Sequence, residues 1–358
     1  DPAAAEPYLL LARVLSSLGR REEAAEVLAR GVAHNPDDRL LRTAWARQLV
    51  ALERYDQALE EFRELARRSP DDPEILFGYA MLATQEKRWD EARPLWQKLR
   101  ATPRFANEAT YFLGQVEEAS GHPETAIGLY RSIHRGELQV DAAIRAAALI
   151  AKDPSRLADA RRLLRDARKA FPKRAVDLYL AEAQLLAQNG ADEAQVLGLY
   201  AEALKAHPDD TRLLYARGLY RSETGDYKGM EADFRRVLAL EPDDADALNA
   251  LGYMLAEQNV RLQEALGYIR KALRLRPDSP AIQDSMGWVL YRLGRLDEAL
   301  AYLKRAYAKD PDPEIAAHLV EVLWARGRQQ EARRLLEQAL KAHPDDKGLQ
   351  ALRRRLQS

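Results

Sequence analysis

The chain contains no cysteine, which excludes disulfides, thiolate metal sites and cysteine nucleophiles without selecting a cellular compartment. Aromatic residues are scarce, at 7%. No apolar run approaches the ~20 residues that a membrane-spanning helix needs. Charge of one sign is also lacking: 55 Lys and Arg stand against 56 Asp and Glu in 358 residues. There is therefore no global field to recruit nucleic acid or an anionic membrane, and partners are chosen by local surface. Nor is there a phosphate-cradling glycine loop, a Gly-x-Ser-x-Gly elbow or a His-Glu-x-x-His pair. The sequence offers no catalytic machinery and implies no cofactor.

What is present is repetition. Prolines recur at Pro36, Pro70, Pro103, Pro172, Pro208, Pro242, Pro277, Pro311 and Pro344, at gaps of 34, 33, 69, 36, 34, 35, 34 and 33 residues. The gap of 69 is two units with one proline missing, so the period predicts ten units. Their bounds are 5–38, 39–72, 73–106, 107–140, 141–176, 177–210, 211–244, 245–279, 280–312 and 313–346, with 347–358 as a terminal capping helix. Alanine, leucine, arginine and glutamate dominate, the composition of helices packed on small-residue seams.

In eight of the ten units a small residue marks the first helix: Ala12, Ala46, Ala80, Gly114, Ala148, Gly218, Gly252 and Gly287. Mostly twelve residues on, the second helix carries Ala24, Ala58, Ala92, Ala126, Ala160, Ala265, Ala299 and Ala332, and a large apolar knob follows four residues later on the same face. Gly19, Gly121, Gly225, Gly294 and Gly327 fall where a left-handed residue ends the first helix. Between hairpins runs a Pro-Asp-Asp or Pro-Asp pattern, as at Pro36-Asp37-Asp38 and Pro242-Asp243-Asp244, proline stopping one helix and aspartate capping the next. Gln184, Val196 and Met230 replace small seam residues in the sixth and seventh units, where helices are expected to spread. Lys152-Asp153-Pro154 is expected to end a first helix early.

These features resemble the tetratricopeptide repeat family over nearly the whole chain. The resemblance implies an all-α, right-handed superhelical solenoid of about ten helical hairpins, working as a non-catalytic protein-binding scaffold. Its concave face is lined by first helices, and the aromatics there, Phe77, Tyr111, Tyr215, Tyr253, Trp288, Tyr291 and Trp324, are the expected partner-binding anchors. Repeats that bind acidic chaperone tails carry asparagine at the position here held by Arg13, Arg47, Met81 and their equivalents, so that class is disfavoured.

The bland alternatives are explicit. His34, His207 and His343 sit in last helical turns, where a partial positive charge is favourable. His122, His134 and His318 are read as isolated side chains, so no metal is implied. The basic stretch Arg156, Arg161, Arg162, Arg165, Arg168, Lys169, Lys173 and Arg174 lacks interleaved aromatics for base stacking, and reads as an outward helix face, not a nucleic-acid site.

A narrower resemblance lies in Asp246-Ala-Leu-Asn-Ala-Leu-Gly-Tyr253, Asp284-Ser-Met-Gly-Trp-Val-Leu-Tyr291 and Asp312-Pro-Glu-Ile-Ala-Ala-His-Leu319. It is similar to outer-membrane repeat lipoproteins of Gram-negative bacteria that partner a periplasmic carboxy-terminal processing protease. That resemblance implies an adaptor holding the protease and presenting protein substrates, typically cell-wall hydrolases. It also implies a periplasmic location, anchored through a lipidated cysteine upstream of Asp1. The expected protease dock is the N-terminal hairpin, through Tyr8, Leu9, Leu40 and Leu41. A general assembly scaffold, cytoplasmic or periplasmic, or the regulatory part of a larger enzyme, are the alternatives.

Overall fold

The computed structural model describes residues 5–134 and 136–357. Among them every regular element is helical. The chain separates into two compact units between Gly190 and Ala191, inside the stretch where seam residues grow larger.

The first unit holds α1 (Ala5–Ser17), α2 (Arg21–His34), α3 (Arg39–Ala51), α4 (Tyr55–Arg68), α5 (Pro73–Gln85), α6 (Trp89–Leu99), α7 (Ala106–Ala119), α8 (Pro123–Arg131), α9 (Leu138–Ile150), α10 (Leu157–Ala170) and α11 (Ala175–Gln188). Each helix from α1 to α10 packs antiparallel-hairpin fashion on its successor, so five hairpins stack in chain order and α11 follows. Local chemistry fixes the helix ends. Asp38 and Asp72 cap α3 and α5 by accepting amide hydrogens, and Gly19 and Gly121 take positive φ at hairpin turns. Glu53 and Lys87 adopt the same left-handed conformation without being glycine, at a cost of about 1 kcal/mol each.

Small first-helix residues face the knob of their own hairpin. A Cβ on Gly114 would stand 2.5 Å from Tyr130, too close without displacing a ring that is itself buried. Ala24, Ala58, Ala92, Ala126 and Ala160 are wholly buried. Ala148 is exposed, and Ala146 and Ala147 fill the seam instead. α8 has nine residues, where α2, α4 and α10 have fourteen. α9 ends at Ile150, and a 3₁₀ turn over Pro154–Arg156 leads into α10. The basic stretch is not simply an outward face, because Arg161 and Arg168 both bond the fully buried Glu182, with the Arg168 guanidinium 4.0 Å from the Tyr179 ring centre.

The second unit opens with α12 (Glu193–Ala206). It continues through the hairpins α13 (Thr211–Thr224) with α14 (Tyr227–Leu240), α15 (Ala245–Glu257) with α16 (Leu262–Leu275), α17 (Pro280–Arg292) with α18 (Leu296–Lys309) and α19 (Pro313–Ala325) with α20 (Gln329–Ala342), and closes on α21 (Lys347–Gln357). Val196 and Met230 are buried in their seams despite their size. Arg217 and Arg221 converge on the buried Asp233 at 2.9 and 2.8 Å. Removing one member of such a group leaves an uncompensated buried charge, at about 3–5 kcal/mol. α21 buries Leu349 and Leu352 and turns Lys347, Arg353, Arg354 and Arg355 outward.

Candidate binding site on three successive first helices

The polar interior of the second unit is concentrated where α15, α17 and α19 run side by side. Asp244, Ser279 and Asp312 cap these three helices, and Pro280 and Pro313 occupy their first turns, which fixes where each begins. Gly252 and Gly287 let α16 and α18 approach closely: a Cβ there would stand 2.6 Å from Ile269 and 2.5 Å from Leu303. The opposite faces of the same helices are thereby held in constant register.

Those faces bring together residues far apart in sequence. His318 places Nδ1 2.9 Å and 3.0 Å from the two carboxylate oxygens of Asp284. Its ring stacks on Trp288 with centroids 4.1 Å apart. The Trp288 indole N–H donates to Glu257 Oε2 at 2.7 Å, and the Arg292 guanidinium lies 4.8 Å from the indole centre. The Tyr253 hydroxyl donates to Glu314 Oε1 at 2.7 Å and stands 3.4 Å from His318 Nε2. Burial alone lowers the affinity of His318 for its proton. The hydrogen bond and charge of Asp284, helped by Glu314 and Glu257, outweigh it and raise the pKa above its usual value. Burial, then the charge and hydrogen bond of Glu314, hold the Tyr253 phenol far above its ordinary range.

Beside this cluster lies a cleft of about 310 Å³, walled by Asn249, Tyr253, Asp284, Asp310, Asp312 and Glu314, with Ala250, Ala281 and Ile315 as apolar floor. No lysine or arginine lines it, whereas many carboxylates elsewhere are paired with arginine. Asn249 Oδ1 is buried there without a hydrogen-bond partner. The lining is thus rich in acceptors and suited to a donor-bearing or cationic group. Among the described residues no group of three or more His, Cys, Asp or Glu is placed to hold a metal, and no helix is long and apolar enough to cross a membrane.

The expected aromatic anchors do not form one exposed row. Trp288 is only 4% exposed and is a core residue, because its indole stacks on the next hairpin's histidine and lies against Arg292. Tyr253 and Tyr291 are half-buried beside it, Tyr215 leans on Phe234, and Trp324 lies under Arg333. In the first unit Phe77 packs edge-on to Trp96 and stacks on Phe105, and Tyr111 packs against Phe112 and Tyr130. Sequence reasoning passed over Asp284 and treated His318 as isolated. The period itself was the available signal, since they stand 34 residues apart.

The N-terminal patch also changes membership. Leu41 is 0% exposed and belongs to the core, because it packs over Gly31 against Tyr8. Tyr8 stacks on His34 and Leu9 is half-buried, while Leu40 stands out in solvent. Leu10, Leu11 and Val14 are exposed apolar side chains of α1, and Leu18 is exposed in the turn after it.

Comparison with known proteins agrees with this architecture. Tetratricopeptide repeat models match residues 5–47, then 43–104, 88–136, 145–211 and 215–280, then 256–317 and 290–356. A TPR repeat-containing protein of Pseudomonas aeruginosa is 45% identical over 315 residues, 88% of this chain and 53% of that protein; the chain therefore spans about half the length of this relative. Protein arginine N-methyltransferase 9 of Mus musculus is 36% identical over 110 residues, 28% of this chain and 13% of that protein. Among solved structures, a thermophilic TPR protein of Thermus thermophilus is 28% identical, with a TM-score of 0.40, covering 51% of this chain and 92% of the other. The chain belongs to the tetratricopeptide repeat family and is a repeat scaffold for protein–protein interaction.

Proposed function

We propose that the chain is the partner-holding part of an adaptor: it binds a periplasmic carboxy-terminal processing protease and presents protein substrates, cell-wall hydrolases, for cleavage. The observation that carries the binding part is the acceptor-lined cleft on α15, α17 and α19. The three segments that resemble protease-partnering lipoproteins lie on these same three helices. A substrate segment crossing the cleft would meet Asn249, Tyr253 and Glu314 with donor groups or a basic side chain. Holding protease and substrate on one body raises their effective concentration without chemistry by the scaffold. The reading places the protein on the periplasmic side of the outer membrane.

The test is affinity capture from Gram-negative envelope extract with the full chain and an Asn249→Arg variant, which fills the cleft with a cation. Recovery of a carboxy-terminal processing protease with cell-wall hydrolases, the hydrolases lost selectively in the variant, supports the adaptor. Recovery of neither class by the unaltered chain removes the adaptor role and leaves a scaffold for other partners.

A further inference from the structure

At three junctions between successive second helices, the basic residue after the large knob of one helix bridges to the glutamate before the small residue of the next. The pairs are Arg63 with Glu91 at 2.7 Å, Arg235 with Glu264 at 2.5 Å and Lys304 with Glu331 at 3.0 Å. The junction of α16 with α18 carries the same two residue types, Arg270 after Ile269 and Glu298 before Ala299, yet the bridge is not made. Glu298 is held instead by Nε and Nη2 of Arg295, at 2.7 and 2.5 Å, and Arg270 acts on it only at a distance. Arg274, one turn along α16, has no carboxylate partner among the described residues.

In place of the bridge is a cleft of about 380 Å³. Exposed Arg270 and Arg274 enter it from α16, Tyr302 enters from α18, and the buried Met286 and Leu290 of α17 give it an apolar floor. The Arg305 guanidinium lies 4.5 Å from the Tyr302 ring centre and donates to the Ala301 carbonyl, not to a carboxylate. Arginine alone does not make such a place. A cleft in the first unit is lined by Arg39, Arg42, Arg67 and Arg68, and each is paired, with Asp72, Glu61, Glu64 and both Glu64 and Asp37 respectively.

We propose that the cleft between α16 and α18 docks an extended acidic segment of a partner protein, its carboxylates on Arg270 and Arg274 and a large apolar side chain against Tyr302 and the apolar floor. Charge and spacing define the occupant. Residues one helical turn apart have Cβ atoms ~5–6 Å apart, close to the ~6.6 Å between alternate residues of an extended strand. Carboxylates at i and i+2 therefore meet the two arginines while the residue between them turns towards Tyr302. A second copy does not supply such a segment: among the described residues no stretch between helices alternates carboxylates with large apolar side chains. Holding other proteins is the role of this repeat family, and desolvated guanidinium–carboxylate pairs beside an apolar floor suit that role. The inference stands on the pairing pattern between second helices and is independent of the acceptor-lined cleft on α15, α17 and α19.

The probe is a fluorescein-labelled peptide of alternating glutamate and phenylalanine, five residues long with glutamate at both ends. Fluorescence anisotropy with the full chain is expected to show saturable binding, weakened about tenfold or more in Arg270→Glu/Arg274→Glu, with the helical circular dichroism of the variant unchanged. Alanine in place of phenylalanine in the peptide, at the same charge, is expected to weaken it by a similar factor. The same charge reversal at the neutralised cleft, Arg39→Glu/Arg67→Glu, is expected to leave binding unchanged. Absence of saturable binding, equal binding to the Arg270→Glu/Arg274→Glu variant, or equal binding of the alanine peptide overturns the proposal. So does a concentration-dependent dimer in sedimentation velocity that excludes the peptide and vanishes in that variant, which would give the cleft to a second copy. Asn249→Arg is expected to leave peptide binding unchanged, so failure of the acceptor-lined cleft and failure of this one are told apart.

Discussion

Two buried tryptophans show two ways of filling the same kind of seam. Trp96, in the first unit, is fully buried between Phe77 and Phe112, and its indole N–H donates to the neutral Thr84 hydroxyl at 2.9 Å. Trp288, in the second, is buried against His318 and Arg292, and its N–H goes to the carboxylate of Glu257. The first environment is almost all carbon and indifferent to pH. The second is titratable, and places carboxylates, a phenol and an imidazole around one ring. Burial alone therefore does not define a structural residue in this repeat: the ionisable surroundings of Trp288 also form one wall of the acceptor-lined cleft.

The largest effects test whether the two sites are equal as packing. Trp96→Ala and Trp288→Ala are each expected to cost about 3–5 kcal/mol, read as loss of hydrogen-exchange protection in α5 and α7 for the first and in α17 and α19 for the second. A small cost at Trp288 would show that the polar site is loosely packed. The next test separates them by pH. His318 has its folded pKa raised above the unfolded value of about 6.5. Its stabilising contribution is therefore complete below that value and is lost as pH rises through the folded pKa. Protection in α17 and α19 should fall over that window while α5 stays level. Asp284→Asn should flatten the dependence and cost about 1–3 kcal/mol on the acid side. Identical pH profiles in both regions would erase the distinction. The smallest effect belongs to Tyr253→Phe, which removes the bond to Glu314 and should cost about 0.5–1.5 kcal/mol, with the pH slope retained.

Much of this architecture was legible because repeat proteins write each packing rule many times. Gly19, Gly121, Gly225, Gly294 and Gly327 all take the positive φ that their place at a hairpin turn demands, and the knobs from Leu28 to Leu336 are all buried. Legibility failed where one unit departs from the average. Ala148 stands 34 residues after the seam residue Gly114, yet it is exposed and Ala147 beside it is buried. Leu40 and Leu41 are adjacent leucines, and only the helix phase set by the Asp38 cap decides that Leu41 turns inward. The site was less legible than the fold. Composition shows that Trp288 is apolar and large, but its burial depends on His318 from the next hairpin. The link between Asp284 and His318 is silent in any local window, because it lies one full period away.

Among the described residues, Tyr253 departs from the nearest-neighbour packing of a repeat stack. Tyr253 on α15 reaches over α17 to Glu314 and His318 on α19, partners 61 and 65 residues along the chain. An array in which each hairpin touches only its neighbours melts like a one-dimensional chain, fraying unit by unit. A strap that skips a unit couples the opening of three hairpins by about the worth of one hydrogen bond, so a ligand held by one of them would raise the protection of all three.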